Sequence, residues 1–494
     1  MTDDIHNRPA VRPIRVDPSS RIQLLSPAVL AEIHHATTVV LEKSGVIFPC
    51  KAALEIFAAA GASVDFASSR VKISPDLLAS ALATVPRDIT LGARGAADLD
   101  LKLDGRFTYV GTGGTGVSTL DRDSGRIRPS TKRDTQLMAL VADYLPSVAF
   151  YWPMAAPRDY PSEILPLHEL DASFKGTEKH VVTASCVSRA TAAYAVEMAA
   201  AVAGSTARLR LRPPISLIVS PISPLRHDEG TLEAALVFAE SGLPVGFATM
   251  PILGSTAPAS VTGTLIQGNA ELLSGIAMVQ LAFPGTPVTY PLFTGVMDPH
   301  TGSCLVSNRL KTFFYAAAVQ LGHFYHLPVQ SSFGGTNLER TDCWQTGKED
   351  ALDAFFMCAA GPEMIPCLGM LGAYTLLAPE KILLDDEIVE TVRYMLEGMQ
   401  MDSIAAALEE ILAVGAGGHY LSRSYTLEKM RDFWDPGVSF QWSGDKGRFQ
   451  NAVAAAGEKF RWIVEHHHTR PPASDVTAAL RGIIRSAQKE LLNS

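Results

Sequence analysis

From about residue 148 onward, two kinds of hydrophobic pattern alternate regularly along this chain. Short apolar runs recur as VAFYWPM (148–154), HVVTASC (180–186), SLIVSPI (216–222), PVGFATM (244–250), PVTYPLF (287–293), LPVQSSF (327–333), PCLGML (366–371) and KILLDD (381–386). Between them lie longer segments of helical character: Ile164–Lys175, Arg189–Ala203, Glu229–Ser241, Ala259–Phe283, Ser307–His323 and Lys348–Ala360, with Glu387–Val414 after the last run. Eight strands alternating with helices over roughly 250 residues are what a (β/α)8 TIM barrel, an α/β fold, demands. The competing arrangement is an open doubly wound sheet. That sheet rarely needs eight consecutive units, and its glycine loop after the first strand is missing here.

The pattern divides the chain into an N-terminal region (1–145), a barrel (146–413) and a C-terminal extension (414–494). In the first region, Ser26 followed by Pro27 starts a helix that Gly45 ends, and FPCKAALEIFAAAG carries a second helix to Gly61. Short β-rich pieces follow, including a hairpin, and residues 132–145 read as a helix. The C-terminal extension reads as helical and packed on the barrel.

One glycine motif needs an explanation. TYVGTGGTGVSTLDRDSGRIRP (108–129) contains a formal G-x-G-x-x-G at Gly111, Gly113 and Gly116. A dinucleotide fingerprint requires those glycines to turn a strand into a helix whose N-terminus faces a pyrophosphate. Here Val117–Leu120 favours strand, and the polar turn DRDSG leads into Arg126–Arg128. The segment is a hairpin, and the nucleotide reading fails for want of a helix.

Composition narrows the function. The 494 residues are 47% hydrophobic and 19% charged, enough for a large core, and a net charge of −9 argues against nucleic acid as a partner. The six cysteines (50, 186, 304, 343, 358, 367) form no C-x-x-C and no disulfide framework, so zinc is not expected and a reducing cytoplasm is. The N-terminal stretch has no apolar core of a signal peptide, and no segment offers a membrane span. His466–His468 reads as a solvated helix end rather than a metal site.

In a barrel, chemistry sits where strands run into their following loops. The aromatics near such ends suggest a cage for a quaternary ammonium ion, held by cation–π attraction. The candidates are Tyr109, Tyr151, Trp152, Phe293, Phe333 and Trp344; the alternative is that they simply cap the core. The Gly- and polar-rich segment 331–350 adds Asn337 and Cys343 as substrate-binding candidates. Arg158, Asn337 and Arg340 are candidates for a substrate carboxylate. Neither G-x-S-x-G nor H-E-x-x-H occurs, and no base stands beside Cys343, so no conventional catalytic set is legible.

Several segments together resemble the trimethylamine:corrinoid methyltransferase superfamily: IHHATTVVLEKSGVIF (33–48), GTGGTGVSTLDRDSGRIRPSTKRD, TAPASVTGTLIQGNAELLSGI (256–276), GGTNLERTDCWQTGKED, LLDDEIVETVRYML (383–396) and GHYLSRSYTLEKMR. The resemblance implies a TIM barrel that demethylates a methylated amine. It also implies a partner protein carrying a corrinoid, whose cobalt(I) accepts the methyl, with no cofactor bound by this chain itself. The glycine loop then becomes a family element near the barrel mouth. Where archaeal trimethylamine enzymes carry pyrrolysine, GTNLERTDCWQ holds standard residues only, at or near Cys343. That implies the non-pyrrolysine branch, which includes glycine betaine methyltransferases. The family's His-Thr pair in the C-terminal segment is Tyr425-Thr426 here.

The expected function is methyl transfer from a small quaternary amine of betaine type to a corrinoid protein, by a homo-oligomer. A trimethylamine-type methyltransferase is one alternative. A barrel lyase or hydrolase using loop 336–345 is another, and a non-catalytic betaine binder a third.

Overall fold

Short runs of apolar residues, too brief to span a helix and buried on both faces, pair side by side in parallel. In the computed structural model these strands are β1 (Phe107–Thr112), β2 (Val148–Tyr151), β3 (His180–Thr183), β4 (Ile215–Val219), β5 (Val245–Phe247), β6 (Val288–Pro291), β7 (Val329–Gln330) and β8 (Met364–Leu368). Each pairs in parallel with the next, and β8 pairs with β1 through Met364–Tyr109 and Ile365–Val110, which closes the barrel. The structure describes residues 10–122, 124–398, 403–433, 437–443 and 447–492, so the first nine residues of the N-terminal stretch lie outside it.

Each strand is followed by a helix of the outer ring: α1 (Lys132–Tyr144), α2 (Leu165–Gly176), α3 (Arg189–Ala203), α4 (Glu229–Glu240), α5 (Val261–Ala282), α6 (Arg309–Phe324), α7 (Trp344–Ala360) and α8 (Lys381–Glu397). Local sequence sets their ends. Ser188, Asp228, Ser260 and Asn308 cap α3 to α6 by accepting from first-turn N–H groups, and Thr131 with Asp134 forms a capping box on α1. Gly204 and Gly361 end α3 and α7 in left-handed conformation.

The strand order corrects one expectation. KILLDD (381–386) is not the eighth strand but the first turns of α8. Its apolar residues Ile382 and Leu383 are buried on one side of a helix, while Lys381 pairs with Asp385 one turn on. The strand that completes the barrel is β1, so the barrel reaches back to Phe107, into the stretch read as N-terminal region. A hairpin, rather than a helix, directly follows β1, and this hid it from the strand–helix alternation.

The N-terminal helices Pro27–Val39, Lys51–Ala59 and Pro75–Leu82 pack on α5. The hairpin of Thr90–Leu91 with Leu101–Lys102 plugs the N-terminal end of the barrel, sending Ile89, Leu91, Leu101 and Leu103 into its inner core. At the C-terminus, helix Ala452–His466 lies on α1 and α8, and helix Ser474–Leu491 lies on α3.

Candidate active site

The pleat decides which side chains enter the barrel, because successive residues of a strand point to opposite faces. Phe150 and Trp152 face inward, in one cluster with Tyr109, Val182, Ile218, Ala248 and Met364, and Phe293 packs against it. Tyr151, between the first two, points outward and donates its hydroxyl to the Thr135 carbonyl of α1 (2.8 Å). Glycine at two inward positions makes room. A Cβ on Gly111 would sit 2.5 Å from the Phe150 ring, and one on Gly246 would meet Ile218 and Thr289 at 2.6 Å.

Trp152 is fixed from β1. Its backbone N–H donates to Thr112 Oγ1 (2.9 Å), and that hydroxyl donates back to the Trp152 carbonyl (2.7 Å). Its indole Nε1 is buried and has no hydrogen-bond partner. Thr289 Oγ1 and Gln330 Oε1, on two further strands, are likewise buried and unpartnered, while Gln330 Nε2 reaches Met364 Sδ (3.3 Å). Buried polar groups are normally satisfied, so three orphans in one barrel mark a place for a ligand or water. The inward positions in this upper part, from Phe150 and Trp152 round to Phe293, Gln330 and Ser332, carry no charge.

The loops at the strand ends interlock over this lumen. The glycine loop after β1 bonds to the loop after β2, with Gly116 N–H to the Met154 carbonyl and Ala156 N–H to the Gly116 carbonyl (both 2.9 Å). Ser118–Leu120 and Ile127–Pro129 form the expected hairpin, and Leu376–Leu377 from the loop after β8 adds alongside it. That last loop turns through Gly372, Ala373 and Tyr374, all at positive φ (54°, 52° and 70°). Non-glycine residues rarely hold that conformation, and such strain gathers at functional sites. Gly372 N–H bonds to the Leu338 carbonyl and Ala373 N–H to the Thr336 carbonyl (both 2.9 Å), which holds the turn against the loop after β7. Tyr374 thereby reaches Ser332 Oγ (3.2 Å) and donates to the Gly334 carbonyl (3.1 Å). Gly335 is obligatory beneath it, since a Cβ there would lie 2.1 Å from the Tyr374 ring.

Buried charges brace these loops from behind. Lys311, fully buried, donates to the same Gly334 carbonyl (2.8 Å) and pairs with Asp353 of α7 (3.2 Å). Lys381 bridges Asp350 of α7 (2.7 Å) and Asp385 of α8, while Asp385 accepts from Gly369 N–H (2.7 Å) at the end of β8. Burial works against the Lys381 ammonium, but Asp385 and Asp350 outweigh it and hold its pKa above the usual range. Behind β3, Glu169 is fully buried and accepts from Ser185 Oγ (2.9 Å); burial pushes its carboxyl up to about 8.

Of the residues singled out from the sequence, Trp152 faces the lumen, and Phe293 packs against the same inner cluster with its ring 6.0 Å from that of Tyr315 of α6. Tyr109 lies at the opposite end, its hydroxyl accepting from Lys102 N–H of the plug (3.3 Å). Phe333 follows inward Ser332 and is buried in the outer core. Asn337 is a structural tie, accepting from Val306 N–H (2.9 Å) and donating to the Cys304 carbonyl (2.9 Å). Cys343 stands immediately before α7, with Thr346 Oγ1 3.1 Å from its sulfur, and that hydroxyl holds the thiol below its ordinary pKa. Trp344 is 79% exposed on the outer surface, with Lys348 over its ring. Arg158 is exposed, and Arg340 pairs with Asp342 at the surface. Gln330, Thr289 and Ser332 were not among the candidates; period two counted back from Phe293 reaches Thr289, but Gln330 of β7 and Ser332 just beyond it lie in the opposite phase to Phe333.

Around the mouth, Val117, Val187, Ile222 and Met250 each stand exposed on the loops after β1, β3, β4 and β5. Among the described residues, no group of three or more His, Cys, Asp or Glu side chains is placed to hold a metal ion, and no helix is long and apolar enough to cross a membrane.

The trimethylamine methyltransferase (MTTB) family model matches residues 4–491. A glycine betaine methyltransferase of Desulfitobacterium hafniense (strain Y51) is 29% identical over 477 residues, covering 95% of this chain and 98% of that protein. The trimethylamine methyltransferase MttB of D. hafniense (strain DSM 10664 / DCB-2) is 29% identical over 469 residues, covering 93% of each. Among solved structures, the hydroxylamine complex of MtmB superposes over 96% of this chain and 90% of its own with a TM-score of 0.50 at 12% identity, a likeness of fold.

Proposed function

The chain belongs to the trimethylamine methyltransferase family, and on that footing we propose that its barrel lumen holds a small quaternary amine of betaine type and presents one methyl group at the mouth. The enzyme is a methyltransferase acting with a corrinoid protein. The corrinoid, carried by that partner, supplies the nucleophile, a cobalt(I) centre that takes the methyl carbon.

What remains for this chain is to bind, desolvate and aim. A quaternary nitrogen already carries its charge and leaves as a neutral tertiary amine, so no acid or base is needed. Holding the methyl in line and excluding water lower the barrier by fixing geometry. The aromatic faces of Trp152 and Phe293 attract the ammonium, and the uncharged walls leave nothing to compete for it.

The observation that carries the reading is the buried, unpartnered Trp152 Nε1 beside an uncharged lumen. An indole N–H is a donor only, and a bare alkylammonium offers it no acceptor. A zwitterion does, through its carboxylate. This favours a betaine over trimethylamine, and it accords with the name of the glycine betaine relative. A lyase or hydrolase would want a base or nucleophile facing the lumen. In the 336–345 loop, the Cys343 sulfur is instead held beside the Thr346 hydroxyl, and Asn337 ties Val306 to Cys304.

Calorimetry with glycine betaine, carnitine, choline and trimethylamine tests this. A carboxylate-bearing quaternary amine should bind more tightly than choline. Trp152→Leu should weaken binding by about 1–2 kcal/mol, the scale of a desolvated cation–π contact. Trp152→Phe should keep affinity for choline but lose the preference for the betaine. Equal binding of all four amines by the wild type, or an unchanged preference in Trp152→Phe, would defeat the assignment.

A further inference from the structure

The chain leaves the barrel surface after Glu397 at the end of α8 and returns at Val438, which is buried and donates its backbone N–H to Glu387 (2.8 Å). Between these points it carries two helices, Ile404–Val414 and Ser424–Phe433. Arg423 ties them by a two-pronged ion pair to Glu410 (2.7 and 2.8 Å). The first helix reads IAAALEEILAV, apolar at all positions but the two glutamates, yet none of its residues is buried. Ile404 is 79% exposed and Leu412 72%, with Leu408 and Ile411 each more than half exposed. A helix shorter than ~12–15 residues is marginal alone in water. One whose apolar face is this broad belongs packed against another apolar surface.

The same chain carries a matching unfilled surface. A groove of about 660 Å³ runs between α7 and α8, walled by Leu352, Phe355, Ile388, Val392 and Met395. It follows α7 from Cys343 to Phe355, about 18 Å along the axis, and the arm helix is about 16 Å long at 1.5 Å per residue. Met395, just before the arm departs, and Ser439, just after it returns, both line the groove, so it lies between the two roots of the arm. An arm rooted at the rim of its own groove is placed beside the groove of a second copy whenever two chains meet there about a two-fold axis. Such a contact is self-complementary, as closed symmetry requires. The exposed apolar side chains of one arm helix and one groove, doubled by the two-fold, sum to on the order of 1,500 Å², the size class of a stable interface.

From these observations we infer that two copies of this chain exchange arms, each seating Ile404–Val414 in the groove between α7 and α8 of the other. The test uses the full chain and two double variants: Ile411→Asp with Leu412→Asp on the arm, and Leu352→Asp with Phe355→Asp in the groove. All four side chains are exposed in the single chain, so the fold is not at stake, and a retained thermal shift with glycine betaine checks this. By sedimentation at micromolar concentration, the wild type should run as a dimer or a multiple of dimers, and each variant as a smaller species. Mixing the two variants should restore a pair, because one arm and one groove remain intact between them. A monomeric wild type overturns the inference, as does a groove variant that keeps the wild-type size, or a mixture that does not pair. A monomer whose arm variants lose only methyl transfer would mean that the arm meets the corrinoid protein instead, which also overturns it.

Discussion

Tyr151 and Trp152 are neighbours in sequence, and one pleat separates their roles. Tyr151 locks β2 to α1, while Trp152 offers its ring and N–H to the lumen. Both could be named from the sequence as aromatics at a strand end, but sorting them requires the phase of the strand, which β-propensity alone does not give. Glu169 was not legible at all. Its position in an amphipathic helix is ordinary, and only the packing of α2 on β3 buries it completely. That burial has a measurable consequence. With its folded pKa raised to about 8 from 4.5, the native state holds a proton that the unfolded chain gives up between those values. The contribution of this group is therefore fully present below about pH 4.5 and is lost as pH rises towards 8, at roughly 1.4 kcal/mol per unit of displacement. Glu169→Gln keeps the shape without the titration. Thermal melts of both proteins across pH 4.5–8.5 should show the variant gaining on the wild type as pH rises, with little difference at the acid end. Parallel curves would mean that Glu169 is ionised in the fold.

Among the elements, seven of the barrel strands and most of the helices were legible from runs and caps, because apolar period and N-cap chemistry are local properties. The eighth strand was misplaced for a physical reason. KILLDD is too short an apolar run to be told from a buried helical turn, and the ion pairs of Lys381 that settle it reach to Asp350, far away in sequence. The strained turn at Ala373–Tyr374 could not be read either, since its support comes from the loop after β7. That pairing can be tested as a unit. Gly335→Ala puts a methyl into the Tyr374 ring at a position with φ of 77°, where a side chain alone costs about 1–2 kcal/mol. The variant should be destabilised by more than that and should bind amine less tightly. Tyr374→Ala removes the obstacle, so the double variant should be more stable than the sum of the two single losses requires, by 1 kcal/mol or so. Simple additivity in thermal melts would show that the two loops do not bear on each other.

For the molecule as a whole, the division of labour between barrel and partner sets where its surface must be apolar. The N-terminal end is sealed by the plug hairpin, so on the proposed reading amine and methyl acceptor both come to the open mouth. There, loops from four different strands hold exposed apolar side chains, although a surface in water gains nothing from exposing Val117, Val187, Ile222 or Met250. A ring of this kind around a cavity suits transient docking of another protein, with the uncharged lumen at its centre. Binding of amine and docking of partner should then be separable by mutation. Val187→Asp and Ile222→Asp lie on the rim, one residue beyond buried Cys186 and three beyond Val219, and both side chains are exposed. Each charge should raise the KM for the reduced corrinoid protein about tenfold, equivalent to about 1.4 kcal/mol. The thermal shift produced by the amine alone should stay at the wild-type value. If transfer to the corrinoid protein is unaffected by both charges, the partner approaches by some other face; if amine binding falls with it, the rim is part of the pocket and not a separate docking surface.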